Sequence, residues 1–294
     1  MRFVVGYTST PAGRDAVALG ARLARVNKAK LDLVVVLGNA DRVTLAPADK
    51  GYTRVLEQNA EEWLAEAAAQ VPNSVAVRRH TVFAESFAEG LEQAAEDLGA
   101  AAIVIGAARG GILGRFTIGS TANTLLHSST TPVALAPDGY RAIDPLSAIA
   151  RVTCAIGNLD AADALIAAAV ESARAAGVPL RFLSLAALDL PGSVPDAVLA
   201  DVSAARFDPV IMAARDSLGV LADVSAVVAS GHTAEQAVRS VTWDPAEIVF
   251  VGASRLAAAG RIFLGATAAK MLRELPTPMI VVPRDLDAEP KGSR

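Results

Sequence analysis

The stretch GAARGGILGRFTIG, Gly106 to Gly119 with Ser120-Thr121 directly behind it, decides how the whole chain is read. It follows the apolar run Ala101-Ala102-Ile103-Val104-Ile105 and leads into Thr121-Ala122-Asn123-Thr124-Leu125-Leu126. That order is a buried strand, a glycine-rich loop and a helix. Such a loop leaves backbone N–H groups free and adds the positive end of the helix dipole, so it suits an anion, most often phosphate. Gly110 and Gly111 inside it permit positive φ and close backbone approach. Arg109 and Arg115 add charge that suits a polyanion. The plainer account is a strand-to-helix turn rich in small residues.

Working outward, the first half alternates short β-branched runs with helical stretches. Strands are expected at 3–5, 31–37, 75–82, 101–105 and 132–136, the third of them more polar and nearer an edge. Helices are expected at 11–27, 52–70 and 86–98, the last stopped by Gly99. This βαβα alternation implies a parallel sheet with helices on both faces, and ligands beyond the carboxyl ends of its strands where the strand order reverses. Residues 137–149 carry turn residues and little periodicity and read as a linker. The pattern then restarts. Strands are expected at 151–156, 180–185, 225–229, 247–251 and 278–282, and helices at 161–176, 233–240 and 266–275. Residues 194–221 are helical in parts, with a break expected at Asp208-Pro209. The tail, 285–294, is polar.

A shift of 146 exposes the repeat. Gly106 falls on Gly252, Arg109 on Arg255, Gly114 on Gly260, Arg115 on Arg261, Gly119 on Gly265 and Thr131-Pro132 on Thr277-Pro278. Over 106–137, 12 of 32 positions match without a gap, where chance would give about two or three. The chain is two copies of one α/β domain: 1–137, a linker 138–149, and 150–284, followed by the tail 285–294.

Composition narrows the function. The 294 residues are 52% hydrophobic but only 4% aromatic, so the cores are built from Ala, Val, Leu and Ile. A net charge of -4 with no Lys/Arg cluster argues against nucleic acid as a partner. Cys154 is the one cysteine, which excludes an intrachain disulfide, and its apolar run 152–156 reads as a buried, inert thiol. The N-terminus lacks a signal-peptide pattern and no run approaches the ~18 apolar residues of a span, so a soluble cytoplasmic protein is expected. His80, His127 and His232 have no metal-ligand spacing. There is no G-x-x-x-x-G-K-[ST], no G-x-S-x-G and no G-x-G-x-x-G after the first strand. No phosphoryl-transfer machinery and no catalytic residue stand out, so at most slow hydrolysis is expected.

A five-stranded βαβα domain ending in G-x2-G-x9-G-[ST], a helix and a short strand resembles the universal stress protein family, and the tandem arrangement resembles its two-domain members. The resemblance implies an adenine-nucleotide α-hydrolase-like, Rossmann-like fold in each repeat. It also implies ATP or another adenine nucleotide as ligand, with Mg²⁺ where the phosphates bring it, and pairing of the two repeats as an internal pseudo-dimer, with further homodimerisation open. Gly106, Gly119 and Ser120 match the first glycine, the last glycine and the hydroxyl residue of the pattern. The second glycine falls on Arg109, with Gly110 one place later. The family's aspartate after strand one falls on Thr8, and its adenine-contacting backbone on Val36, by alignment of LDLVVV. Ser120 and Thr121 are either phosphate donors at the helix start or ordinary caps. In the second repeat Gly110-Gly111 become Leu256-Ala257 and Ser120 becomes Ala266, while Asn158 and Asp160 follow its first strand. That half is expected to be degenerate. The alternative is that neither repeat binds nucleotide and the protein is an interaction scaffold.

Overall fold

In a computed structural model of the chain the described residues are 1–38, 50–107, 119–157, 162–186, 196–219, 223–254 and 256–284. They form two compact units, Met1–Ser147 and Ala148–Arg294. Helices flank parallel β-strands in each, as expected of an α/β chain.

Unit one runs β1 (Arg2–Gly6), α1 (Pro11–Val26), β2 (Lys30–Gly38), α2 (Lys50–Ala69), β3 (Val77–Ala84), α3 (Phe87–Leu98), β4 (Ala102–Gly106), α4 (Ser120–Ser128) and β5 (Val133–Ala136). Its strands lie in the order β3-β2-β1-β4-β5, all parallel, so the order reverses between β1 and β4. β1, β4 and β5 are buried on both faces, which is why they read as apolar runs. β3 is outermost and more exposed.

Unit two runs β6 (Val152–Ala155), α5 (Asp163–Ala176), β7 (Leu180–Ala186), α6 (Asp196–Leu218), β8 (Val224–Ser230), α7 (Ala234–Ser240), β9 (Ile248–Gly252), α8 (Ala266–Glu274) and β10 (Met279–Val282). Its order is β8-β7-β6-β9-β10, again parallel. The repeat extends to the caps. Ser86 accepts from the Glu89 N–H at the start of α3, and Thr233 accepts from the Gln236 N–H at the start of α7. Gly99 and Gly177 close α3 and α5 in the left-handed conformation.

Two expectations meet a different structure. α6 continues through Pro209 where a break was expected at Asp208-Pro209. Proline removes one helical hydrogen bond, but tertiary packing offsets that loss: Phe207 is buried and stacks on Phe182 at 6.3 Å between centroids, and Ala214 is buried one turn beyond the proline. The turn-rich segment after β5 is also no bare connection. Residues 138–147 belong to unit one, with a 3-10 turn at Tyr140–Ala142 and Tyr140 buried.

Each unit buries an ionic cluster at the same register position of its second strand. Asp32 on β2 accepts from Arg2 Nε at 2.8 Å and Nη2 at 2.5 Å, and its Oδ1 lies 2.8 Å from His80 Nε2. Burial alone would raise the Asp32 carboxyl, but the hydrogen bonds and charge of Arg2 and His80 outweigh it and hold the group below its ordinary 3.8. A carboxyl depressed in the folded state contributes stability above its unfolded pKa, lost as pH falls through the folded value. The stability difference between the wild type and Asp32→Asn is therefore expected to be largest near neutrality and to shrink below about pH 4. Urea denaturation at stepped pH checks this; a difference that stays constant into acid contradicts it.

In unit two the corresponding position is Arg181: β1–β2 aligns Val4 with Asp32, and β6–β7 aligns Thr153 with Arg181. Glu247, just before β9, receives Arg181 Nη2 and Arg151 Nη2 at 2.6 Å each and also the Thr153 hydroxyl. Arg181 lies over the Trp243 ring at 4.9 Å. Cys154 is fully buried beside this cluster's strands, and burial pushes its thiol up, away from reactivity.

Candidate functional site

The candidate site lies in unit one, at the carboxyl ends of β1 and β4, where the strand order reverses. A cleft of about 420 Å³ is lined there by Gly6, Thr8, Ala12, Gly13, Phe87, Ile105, Gly106 and residues 119–122. That is within the range of small-molecule sites, about 300–1,000 Å³.

Backbone contacts shape its floor. A Cβ built on Gly106 would overlap the Ala12 carbonyl oxygen and lie 2.6 Å from the Ala12 carbonyl carbon. One built on Gly13 would overlap the Thr8 oxygen. The first turn of α1 is thus wedged between the β1–α1 loop and the end of β4. Only residues without a Cβ allow that approach.

Three helix starts converge on the cleft: Ala12 and Gly13 in α1, Phe87 in α3, and 119–122 around the start of α4. Thr10 caps α1 by accepting from the Gly13 N–H at 3.2 Å, and Ser86 caps α3. α4 differs. Its N-cap is Gly119, so among the described residues no side chain caps its first-turn N–H groups. None of the described lining residues is charged. Ser120 is exposed and Thr121 half-buried, while the exposed Thr8 hydroxyl pairs with Thr10 Oγ1 at 3.0 Å. Next to Thr8, Tyr7 is fully buried; burial, then the Glu66 charge, pushes its phenol up and keeps it neutral.

Of the residues singled out in the sequence, the structure brings Thr8, Gly106, Gly119, Ser120 and Thr121 together in the cleft. Val36 is not among the lining residues. It sits half-buried on β2, with its methyls facing Gly90 of α3. Arg109, Gly110, Gly111 and Arg115 lie outside the described residues, as do Asn158, Asp160 and Arg255. Sequence reading missed Gly6, Ala12, Gly13, Phe87 and Ile105. A signal for two of them existed: a glycine two places after T-P, in the first turn of a helix, has no helical advantage, and Phe87 directly follows a capping serine.

The corresponding region of unit two is built differently. By strand register Thr8 corresponds to Gly157, and α5 begins at Asp163, about one turn later than α1 does. Among the described residues, a Cβ on Gly252 would meet Leu165, at 3.4 Å. The segment before α8 is bound to itself and to Arg284, just after β10. The Ser254 N–H donates to the Phe263 oxygen, the Gly260 N–H to the Arg284 oxygen, and the Arg284 N–H to the Arg261 oxygen. Ala257, Ile262 and Leu264 anchor it from below.

With this geometry in view, a sequence profile described as the universal stress protein family matches residues 1–137 and again residues 149–283. The chain belongs to this family. It is a tandem universal stress protein, and its two family domains span nearly its whole length. It is 29% identical over 293 residues to a universal stress protein of Mycobacterium tuberculosis, covering 96% of this chain and 100% of that one. A crystal structure of a universal stress protein from Archaeoglobus fulgidus aligns with TM-score 0.67 at 18% identity, covering 96% of this chain and 98% of its own. A putative universal stress protein from Pseudomonas aeruginosa aligns with TM-score 0.58 at 16% identity, covering 97% and 93%. At those identities the two structures speak for the fold. Among the described residues no helix is long and apolar enough to cross a membrane.

Proposed function

We propose that this tandem universal stress protein holds ATP or another adenine nucleotide in its first repeat, with the phosphates at the start of α4. The observation that carries this reading is the uncapped α4 N-terminus opening into a cleft at the sheet's switch point, with two more helix starts aimed at the same space. The lining residues that are described include no carboxylate or imidazole, which suits an anion and supplies no general base. The nucleotide is then a regulatory or structural ligand, with hydrolysis slow where it occurs. Among the described residues no cluster of His, Cys, Asp or Glu is placed to hold a metal, so Mg²⁺ would arrive on the phosphates. The second repeat is scaffold in this reading: α8 also starts at an uncapped glycine, Gly265, but the Ser254, Ala257, Gly260 and Arg261 N–H groups of the loop before it are used internally.

The test is calorimetric titration with ATP and Mg²⁺, together with mass spectrometry of small molecules released by denaturing the isolated protein. One nucleotide per chain, lost in Gly119→Val while cooperative unfolding is retained, is the expected result. Binding retained in that variant removes the α4 loop as the site. No binding to the wild type at sub-millimolar ATP favours the interaction-scaffold reading, which the neutral Thr8 at the aspartate position supports.

A further inference from the structure

Two buried charged residues on α1, Asp15 and Arg22, share one face of the helix and hold the segment that follows β5. The Asp15 carboxylate accepts from the Gly139 N–H at 3.1 Å, the Arg141 N–H at 2.8 Å and Arg141 Nη1 at 2.8 Å. Arg22 donates to the Tyr140 hydroxyl at 3.0 Å, the Asp144 carbonyl at 2.8 Å and the Ser147 hydroxyl. Arg25, in the last turn, donates to the Ser147 carbonyl at 2.8 Å. Residues 138–147 are thus a strap laid along α1 and fastened at both ends of the helix.

The front fastening sits beside the cleft. Arg141 Nη1 reaches past Asp15 to the Pro11 carbonyl at 3.4 Å. Pro11 is the first residue of α1, and the next two, Ala12 and Gly13, line the cleft and press on Gly106 and Thr8. A first helical turn is the part least held by the helix's own hydrogen bonds. This one has no acidic residue to stabilise it, only the Thr10 cap.

We propose that Asp15 and Arg141 are positioning residues for the cleft: the docked strap holds the first turn of α1 down on Gly106 and Thr8, so strap docking and cleft geometry form one equilibrium. Its ligand readout rests on the nucleotide reading; its structural readout does not.

The test is hydrogen exchange on the full, ligand-free chain, comparing Arg141→Ala with Arg25→Ala, which loosens the far end of the strap. Arg141→Ala is expected to speed exchange of the amides of residues 13–16 by about tenfold, the scale of one lost charge-assisted hydrogen bond. Arg25→Ala is expected to leave those amides within about twofold of the wild type. ATP affinity is expected to fall about tenfold in the first variant alone. Unchanged exchange at 13–16 in Arg141→Ala, or an equal rise in both variants, overturns the coupling. Should Arg141→Ala fail to fold, Arg141→Met keeps the bulk of the side chain without the Nη1 that holds both Asp15 and Pro11, and the same amides decide. A wild type that binds no ATP ends the nucleotide reading and leaves the exchange comparison in force.

Discussion

Gly106→Ala is expected to destabilise the chain by about 3 kcal/mol, whereas Gly252→Ala at the matching position of the second repeat costs less than about 1 kcal/mol. The glycines fall on each other in the repeat, yet their surroundings differ. A methyl on Gly106 overlaps the Ala12 carbonyl, a backbone atom in a helix that cannot rotate away. The first turn of α1 has to lift, which opens the cleft as well. Among the described residues, a methyl on Gly252 meets a Leu165 side-chain carbon at 3.4 Å, an ordinary contact that a rotamer adjustment absorbs. Urea denaturation of both variants reads the stability difference, and ATP titration reads the cleft. Equal losses for the two variants would mean that the first turn of α1 is not wedged as described.

Glu247→Ala has the second large effect, about 3–5 kcal/mol, the cost of leaving a buried charge without its partner. Burial already pulls Arg181 below its ordinary range and Arg151 adds to that pull; Glu247 opposes both. Without it Arg151 and Arg181 lose the carboxylate they share, and the Thr153 hydroxyl loses its acceptor. Replacing the pair together, Arg181→Met with Glu247→Met, is expected to recover more than half of the loss, because a packed apolar pair leaves no buried charge unpaired. A double variant no better than Glu247→Ala would show that the cluster's contribution lies in its shape and not in its charge.

Much of this was legible in the sequence, for physical reasons. The parallel α/β layout followed from apolar runs such as 101–105, which only a strand buried on both faces needs. The repeat was visible in loop residues such as Gly119/Gly265 and Thr131/Thr277, where backbone geometry limits the choice of residue. The cleft was half legible. Gly106, Gly119, Ser120 and Thr121 belong to one stretch, whereas Gly6, Gly13 and Phe87 come from three others and meet only in the folded chain. The continuity of α6 through Pro209 was hidden because a local rule predicted a break and packing at Phe207 overrode it. The strap was hidden for a related reason. Turn residues at 138–147 report the local path of the chain, and nothing local reveals that Asp15 and Arg22, more than a hundred residues earlier, are buried beneath them.

The reversal of the buried ion pair between the repeats has an evolutionary consequence. A duplicated gene invites unequal crossing-over between its halves, which would exchange segments at matching registers. A hybrid carrying β2 with the segment before β9 would set Asp32 and Glu247 around one buried space. The reciprocal hybrid would leave Arg181 opposite Ala101, with no counter-charge. Either recombinant pairs a buried charge with the wrong neighbour. Each buried cluster is matched within its own half, so exchange of segments between the two copies is opposed and each is free to diverge.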